Sequence, residues 1–329
     1  MNQRFDAGNP MQVGGQAVIE GVMMRAPGMV ATAVRRPDGS ISVRKDPYTS
    51  LAQRSRVFKL PVLRGAVGLI EMLVIGLRML NYSAEVAMNA SEEAKAGDNE
   101  SPRSSRAGDS VRLALTLTVA LGAGVAIFFL TPLVLTTMIF SVDQQPLAFN
   151  LIAGGIRLVL FLGYLIAIAA LKDVQRIFEY HGAEHKAVFA FERGSALEPD
   201  AAACQSRFHP RCGTSFLLVV MLVAILMFGL FDAGVIALRG SMTLPLRIAT
   251  HLPLIPLLGG ISYEFIRISA RHSGTALGRI IVAPGLWLQK ITTREPDTSE
   301  LEVAVAALRA ALGEDVAEPV AAIPKAAVL

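Results

Sequence analysis

Four stretches of this chain, 111–140, 149–171, 214–238 and 244–268, are long and apolar enough to cross roughly 30 Å of hydrocarbon as helices. That pattern leaves few folds open. Inside lipid every backbone N–H and C=O must find a partner within the protein, which helices do segment by segment. The expectation is therefore a predominantly α-helical polytopic membrane protein with about four transmembrane helices. Composition agrees: 53% of the 329 residues are hydrophobic, 18% are charged and the mean hydropathy is +0.49. The lipid bilayer is the partner this implies. The formal charge of +4 does not point to nucleic acid, because the basic residues carry little aromatic interleaving and no recognition motif.

Charge also orients the spans. The connection 141–150 carries only Asp143, whereas 172–211 carries Lys172, Arg176, Lys186, Arg193, Arg207 and Arg211. The positive-inside rule places 172–213 in the cytoplasm, and an even number of crossings leaves both termini there too. Cys204 and Cys212 are the two cysteines. They form no disulfide framework, and on the reducing side they are thiols or metal ligands. The first ten residues are polar, so no cleavable signal peptide is expected.

Residues 1–59 read as a small cytoplasmic β-rich segment, with Val30 to Val34 and Ile41 to Val43 flanking a Pro37-Asp38-Gly39 turn as a hairpin. Before it, Gly14-Gly15-Gln16-Ala17-Val18-Ile19-Glu20-Gly21-Val22-Met23-Met24-Arg25 fits no phosphate- or dinucleotide-binding pattern and reads as a turn plus a strand. Residues 60–90 are apolar, but Arg64, Glu71 and Arg78 recur every seven residues on one helical face. That stripe predicts an amphipathic helix lying in the interface or re-entering it, with a buried bundle helix as the alternative. Residues 91–110 read as a flexible linker. Then come a first transmembrane hairpin (111–171), the cytoplasmic segment 172–213, a second hairpin (214–268) and a cytoplasmic C-terminal segment (269–329). In the last, Pro284 to Leu288 reads as an interfacial anchor, and Ser299 with Glu302 as the capping box of an amphipathic helix whose buried face holds Leu301, Val305, Leu308 and Leu312.

The chemistry concentrates in 172–213. In Tyr180-His181-Gly182-Ala183-Glu184-His185-Lys186, the two imidazoles sit one helical turn apart with Glu184 beside them. Neutral imidazoles on one face suit a divalent ion, Zn²⁺ foremost, and the spacing is that of the H-x-x-E-H motif. His209-Pro210-Arg211-Cys212-Gly213 lies in the same polar interval. The expected metal residues are His181 and His185, completed by His209 or Cys212, with Glu184 as general base or further ligand. Sharing a metal requires the helix bearing His181 and His185 to bend away from the preceding span, since a straight one would carry His185 about 20 Å past the membrane. Glu264, Glu20 and Arg25 are further candidates, although Glu264 also suits a pair with an interfacial cation. Arg157, Asp232 and His251 read as structural polar contacts in the opposite halves of their spans.

These strings, with Phe208-His209-Pro210-Arg211-Cys212-Gly213-Thr214-Ser215, closely resemble the YqhQ-like bacterial membrane proteins over about Met11 to Leu312. The resemblance implies a bacterial inner-membrane protein and a metal-dependent enzyme, without naming a reaction. The reading is a cytoplasm-facing hydrolase using metal-activated water on a substrate the sequence leaves open. The alternative is a non-catalytic scaffold or assembly factor with a structural metal. Peptidase activity is disfavoured, because nothing else resembles a soluble protease, and few intramembrane charges speak for a transport pathway. The sequence leaves the oligomeric state and any protein partner open.

Overall fold

The computed structural model describes residues 13–51, 55–93, 106–141, 143, 145–271 and 275–314. It divides into a helical membrane bundle and a domain in which a small sheet is packed on both faces. The sheet is a four-stranded antiparallel meander, β1 (Gly14–Val18), β2 (Gly21–Ala26), β3 (Met29–Arg35) and β4 (Ile41–Pro47), in sequential order. The β3–β4 hairpin is where the turn signal placed it. The Gly14 to Arg25 stretch is a second hairpin, with Gly14 paired to Arg25 and Val18 to Gly21, rather than a turn followed by one strand. Its glycines sit in a strand because another element presses against them. A Cβ on Gly15 would meet the Glu184 side chain and the Met23 carbonyl.

Alternate residues of β2 and β3 face opposite cores. Val22, Met24, Ala31 and Ala33 pack with helices α5 (Lys172–Glu192) and α10 (Thr298–Ala311), while Val18, Met23 and Val30 pack with Met79 of α1 (Leu63–Glu93). Both faces being covered explains why β2 and β3 read as continuous apolar runs. Helix α10 is buried almost all round, from Leu301 through Ala311. The expected one-sided docking understates this, because the face opposite Leu301 and Leu308 is alanine-rich and small enough to pack closely. Its capping box also lies two residues earlier than expected. Asp297 accepts from the Ser299 and Glu300 amides, and Glu300 accepts from the Asp297 amide at 2.8 Å. The Asp297 carboxylate takes the role the sequence assigned to Ser299.

That cap titrates. Burial, reinforced by the Asp297 carboxylate, raises Glu300 to about 7, above its ordinary 4.5. The folded state therefore holds a proton that the unfolded chain releases, so this contribution is complete below about 4.5 and is lost as pH rises through 7. Hydrogen exchange of the α10 amides, corrected for intrinsic rates, should show protection falling between pH 6 and 8. Glu300→Gln should flatten that dependence, and an unchanged slope in the variant would refute the assignment.

The membrane part holds four helices long and apolar enough to span, Thr118–Thr137, Pro146–Ala169, Gly213–Arg239 and Leu244–Ser269. The chain is a membrane protein. The first span joins α2 (Arg106–Val125) to α3 (Thr131–Thr137) through a π-helical turn, Ala126–Leu130. The others belong to α4 (Pro146–Ala169), α7 (Gly213–Arg239) and α8 (Leu244–Arg271). Helices α4 and α8 both pack on α7. Large apolar side chains such as Val159, Leu226 and Leu252 remain well exposed, as a lipid-facing surface requires.

Helix α1 packs against α8 near its start and against the sheet further along. Its polar stripe is used. Arg64 donates two hydrogen bonds to Glu264, at 2.6 and 2.5 Å, and Glu71 accepts from the Tyr48 and Ser50 hydroxyls at 2.8 Å each. Its opposite face leaves Leu63, Ile70, Leu73 and Leu77 exposed. The segment 91–110 is helical at 91–93 and 106–110, and 94–105 lie outside the described residues, as does the tail from 315.

Candidate metal centre

The chain leaves α4 at Ala170, extends at Leu171 (ψ 131°) and begins α5 at Lys172. This break is what allows α5 to return toward the start of α7. The short helix α6 (Pro199–Ala203) and the loop to Cys212 complete the return. On the other side, residues 293–296 after α9 (Ala276–Thr292) cross α5 at Gly182. The Arg294 amide donates to the Phe178 carbonyl at 2.8 Å, and any Cβ on Gly182 would collide with the Arg294 carbonyl oxygen. Gly182 is thus required by a backbone crossing between the two histidines.

Three ligand-type side chains meet there. One ligand atom each from His181, His185 and Cys212 lies within 4.8 Å of the others. Both imidazoles are oriented by backbone carbonyls. The Nδ1–H of His181 donates to Thr292 at 2.8 Å, and that of His185 donates to Arg207 at 2.5 Å. A carbonyl can only accept, so each Nδ1 carries the proton and each Nε2 keeps its lone pair. The Nε2 of His181 is 3.2 Å from Cys212 Sγ. Burial lowers His185, favouring the neutral imidazole a metal needs. Cys212 is the N-cap of α7 and accepts from the Thr214 amide.

This donor set fits a divalent ion. Zinc bond lengths of about 2.0–2.3 Å put tetrahedral ligand atoms about 3.3–3.8 Å apart, a separation within small side-chain adjustments of the trio. Carbonyl-tethered Nδ1–H groups are the usual outer support of histidine ligands.

His209 is buried in the wall of the centre, its ring centroid 5.7 Å from that of His185. Its nitrogens are turned elsewhere. Nδ1 accepts from the Arg211 amide at 3.2 Å, and Nε2 faces Glu192 at 3.4 Å. Burial lowers His209 to about 4, so it is neutral. Glu184 is buried against β1, and burial raises its carboxyl, opposed by the Gly15 amide.

The further candidates lie elsewhere. Glu20, at the β1–β2 turn with φ 51°, accepts from Arg176 at 2.5 Å, and Arg176 reaches Glu300 at 3.2 Å. That chain of charges ties the sheet to α5 and α10. Arg25 lies over the Tyr48 ring and contacts the Met72 sulfur on the α1 side of the sheet. Glu264 is engaged by Arg64.

Sequence reasoning missed the supporting contacts. The Thr292 and Arg207 carbonyls carry no side-chain signal. Gln289 brackets the backbone of His209, accepting from its amide and donating to its carbonyl at 2.8 Å each. Its sequence trace is a glutamine in a largely apolar stretch.

The fold and site define a polytopic membrane protein carrying a buried His-His-Cys cluster where its sheet domain meets the bundle. The family model described as "Protein of unknown function (DUF1385)" matches residues 60–314, and the chain belongs to that family. It is 33% identical over 300 residues to the "Uncharacterized protein YqhQ" of Bacillus subtilis (strain 168), covering 90% of this chain and 91% of that protein. No solved structure matches the chain.

Proposed function

We propose that this protein is a membrane-embedded metal-dependent hydrolase whose site faces the cytoplasm of a bacterial inner membrane. The observation carrying the reading is the trio of His181, His185 and Cys212, with both Nδ1–H groups tied to backbone carbonyls. Three protein ligands with a fourth position open are the pattern of catalytic zinc, whereas structural zinc is closed by four. When bound, a divalent ion supplies Lewis acidity and makes water a nucleophile at neutral pH. Glu184 accepts and returns the proton, its burial favouring the protonated form it must reach in turnover. The basic bias of 172–211 supports the orientation.

A scaffold with a structural metal is the second reading, favoured by the burial of His209 beside His185, from which a side-chain rotation would supply a fourth ligand. Glu184→Gln separates the two. Under the hydrolase reading the variant keeps its metal and loses function in a complementation assay at wild-type expression, by about 100-fold or more as removal of a general base implies. Full complementation with full metal occupancy would leave the scaffold reading standing.

A further inference from the structure

Some 30 Å along α7 from Cys212, at 1.5 Å per residue, a second polar cluster is buried inside the bundle. Asp232 of α7 is fully buried, and Arg247 and His251 of α8 and Asn150 of α4 nearly so. One oxygen of Asp232 is held by Arg247 and by the Asn150 amide at 2.7 Å, and His251 Nε2 lies 3.1 Å from the other. One carboxylate is thereby matched by one guanidinium.

Arg157 breaks the balance. It lies eleven residues into α4, near the middle of its span, and among the described residues it pairs with no carboxylate. Its Nε donates to the Phe128 carbonyl at 2.8 Å, within the π-helical turn Ala126–Leu130. The widened turn alters the helical hydrogen-bond ladder and offers this carbonyl to a side chain. A carbonyl satisfies a donor without neutralising its charge. Arg157, Arg247, His251 and Asn150 line one cavity of about 20 Å³, walled by Phe149 and Phe228. It has room for one small group. An unneutralised guanidinium at that depth costs several kcal/mol, and a bundle that needed Arg157 only to cap a carbonyl could use a neutral donor.

We infer that this cavity is an anion-binding site, in which Arg157, Arg247 and His251 receive one negatively charged group, either a small inorganic anion or the acidic head of an anionic lipid. The ligand supplies the charge that Arg157 lacks. The site is independent of the metal centre, so either assignment can fail alone.

The test uses the full-length protein in a neutral detergent. Its thermal unfolding is followed while gluconate is replaced by chloride, then by inorganic phosphate, and separately while phosphatidylglycerol or phosphatidylcholine is added. A saturable rise of about 5 °C at 100-fold excess over Kd is expected in at least one anionic arm and not with phosphatidylcholine. The arm that responds identifies the source. Arg157→Gln should abolish the rise, yet in gluconate it should unfold at or above the wild-type temperature, because it removes a half-buried charge with no carboxylate partner from the middle of the span. A merely structural Arg157 predicts a lower temperature and no anion response. No shift in any arm, or the same shift in the variant, overturns the proposal. If the variant does not fold, equilibrium binding of labelled chloride and phosphate, with native mass spectrometry of retained phosphatidylglycerol, decides on the wild type. Failure of all three to reach about one per chain counts against the site.

Discussion

His185→Ala, or His181→Ala, should weaken zinc binding by more than about 100-fold, because partners that merely orient a ligand already contribute 10- to 100-fold. The affected atoms are those whose Nδ1–H groups are committed to the Arg207 and Thr292 carbonyls, so no other nitrogen on either ring is free to substitute. Cys212→Ser should act in the same direction, replacing a sulfur ligand by a hydroxyl that binds zinc poorly. His251→Ala provides the control, being buried with Asp232 far along the bundle. The measurement is metal stoichiometry and affinity on purified protein before and after chelation. Undiminished zinc in both histidine variants would remove the centre and, with it, the hydrolase reading.

Arg247→Leu should destabilise the bundle by about 3–5 kcal/mol, the usual result of stripping one partner from a buried ion pair. Asp232 is fully buried and one oxygen of its carboxylate is held by Arg247 and Asn150, so the variant strands a charge where no water reaches it. Pairing the change with Asp232→Asn should restore most of the loss, since an amide in the same place carries no charge to strand. Denaturant unfolding in micelles of the single and double variants measures both. A loss below about 1 kcal/mol for Arg247→Leu, or no recovery in the double variant, would show that the cluster is solvated. This experiment is separate from the anion test, which leaves Asp232 and Arg247 intact.

The sequence's bend requirement and the structure's break at Leu171 concern the same residues. An apolar span followed by a polar helix carrying two histidines can share a metal with Cys212 only if the chain turns between them. What the pattern did not contain was where each side chain aims. His209 and Cys212 are three residues apart and equally ligand-like, but only Cys212 caps a helix that points at His181. The nitrogens of His209 are spent on Arg211 and Glu192. Glu20 and Arg25 stood out as charges among apolar residues, and the turn that holds the first and the strand that holds the second send them to different partners, Arg176 for Glu20 and Tyr48 with Met72 for Arg25.

Hydrophobic run length and loop charge are properties of short segments, and the bilayer selects on them directly. The sequence by itself therefore determined the four spans, the polar interval between the second and third, and the His-Gly-Ala-Glu-His spacing that puts two imidazoles on one helical face. The tertiary structure decided the rest, through contacts between residues 80 or more positions apart. These include the carbonyl of Thr292 behind His181, Arg64 on Glu264, Gln289 bracketing His209, and the crossing at Gly182. Apart from the Arg64–Glu264 pair, which joins two side chains of α1 and α8, each depends on which backbone atoms lie opposite one another after α5 folds back. Such atoms are identical in every residue, so no local pattern in the sequence could mark them.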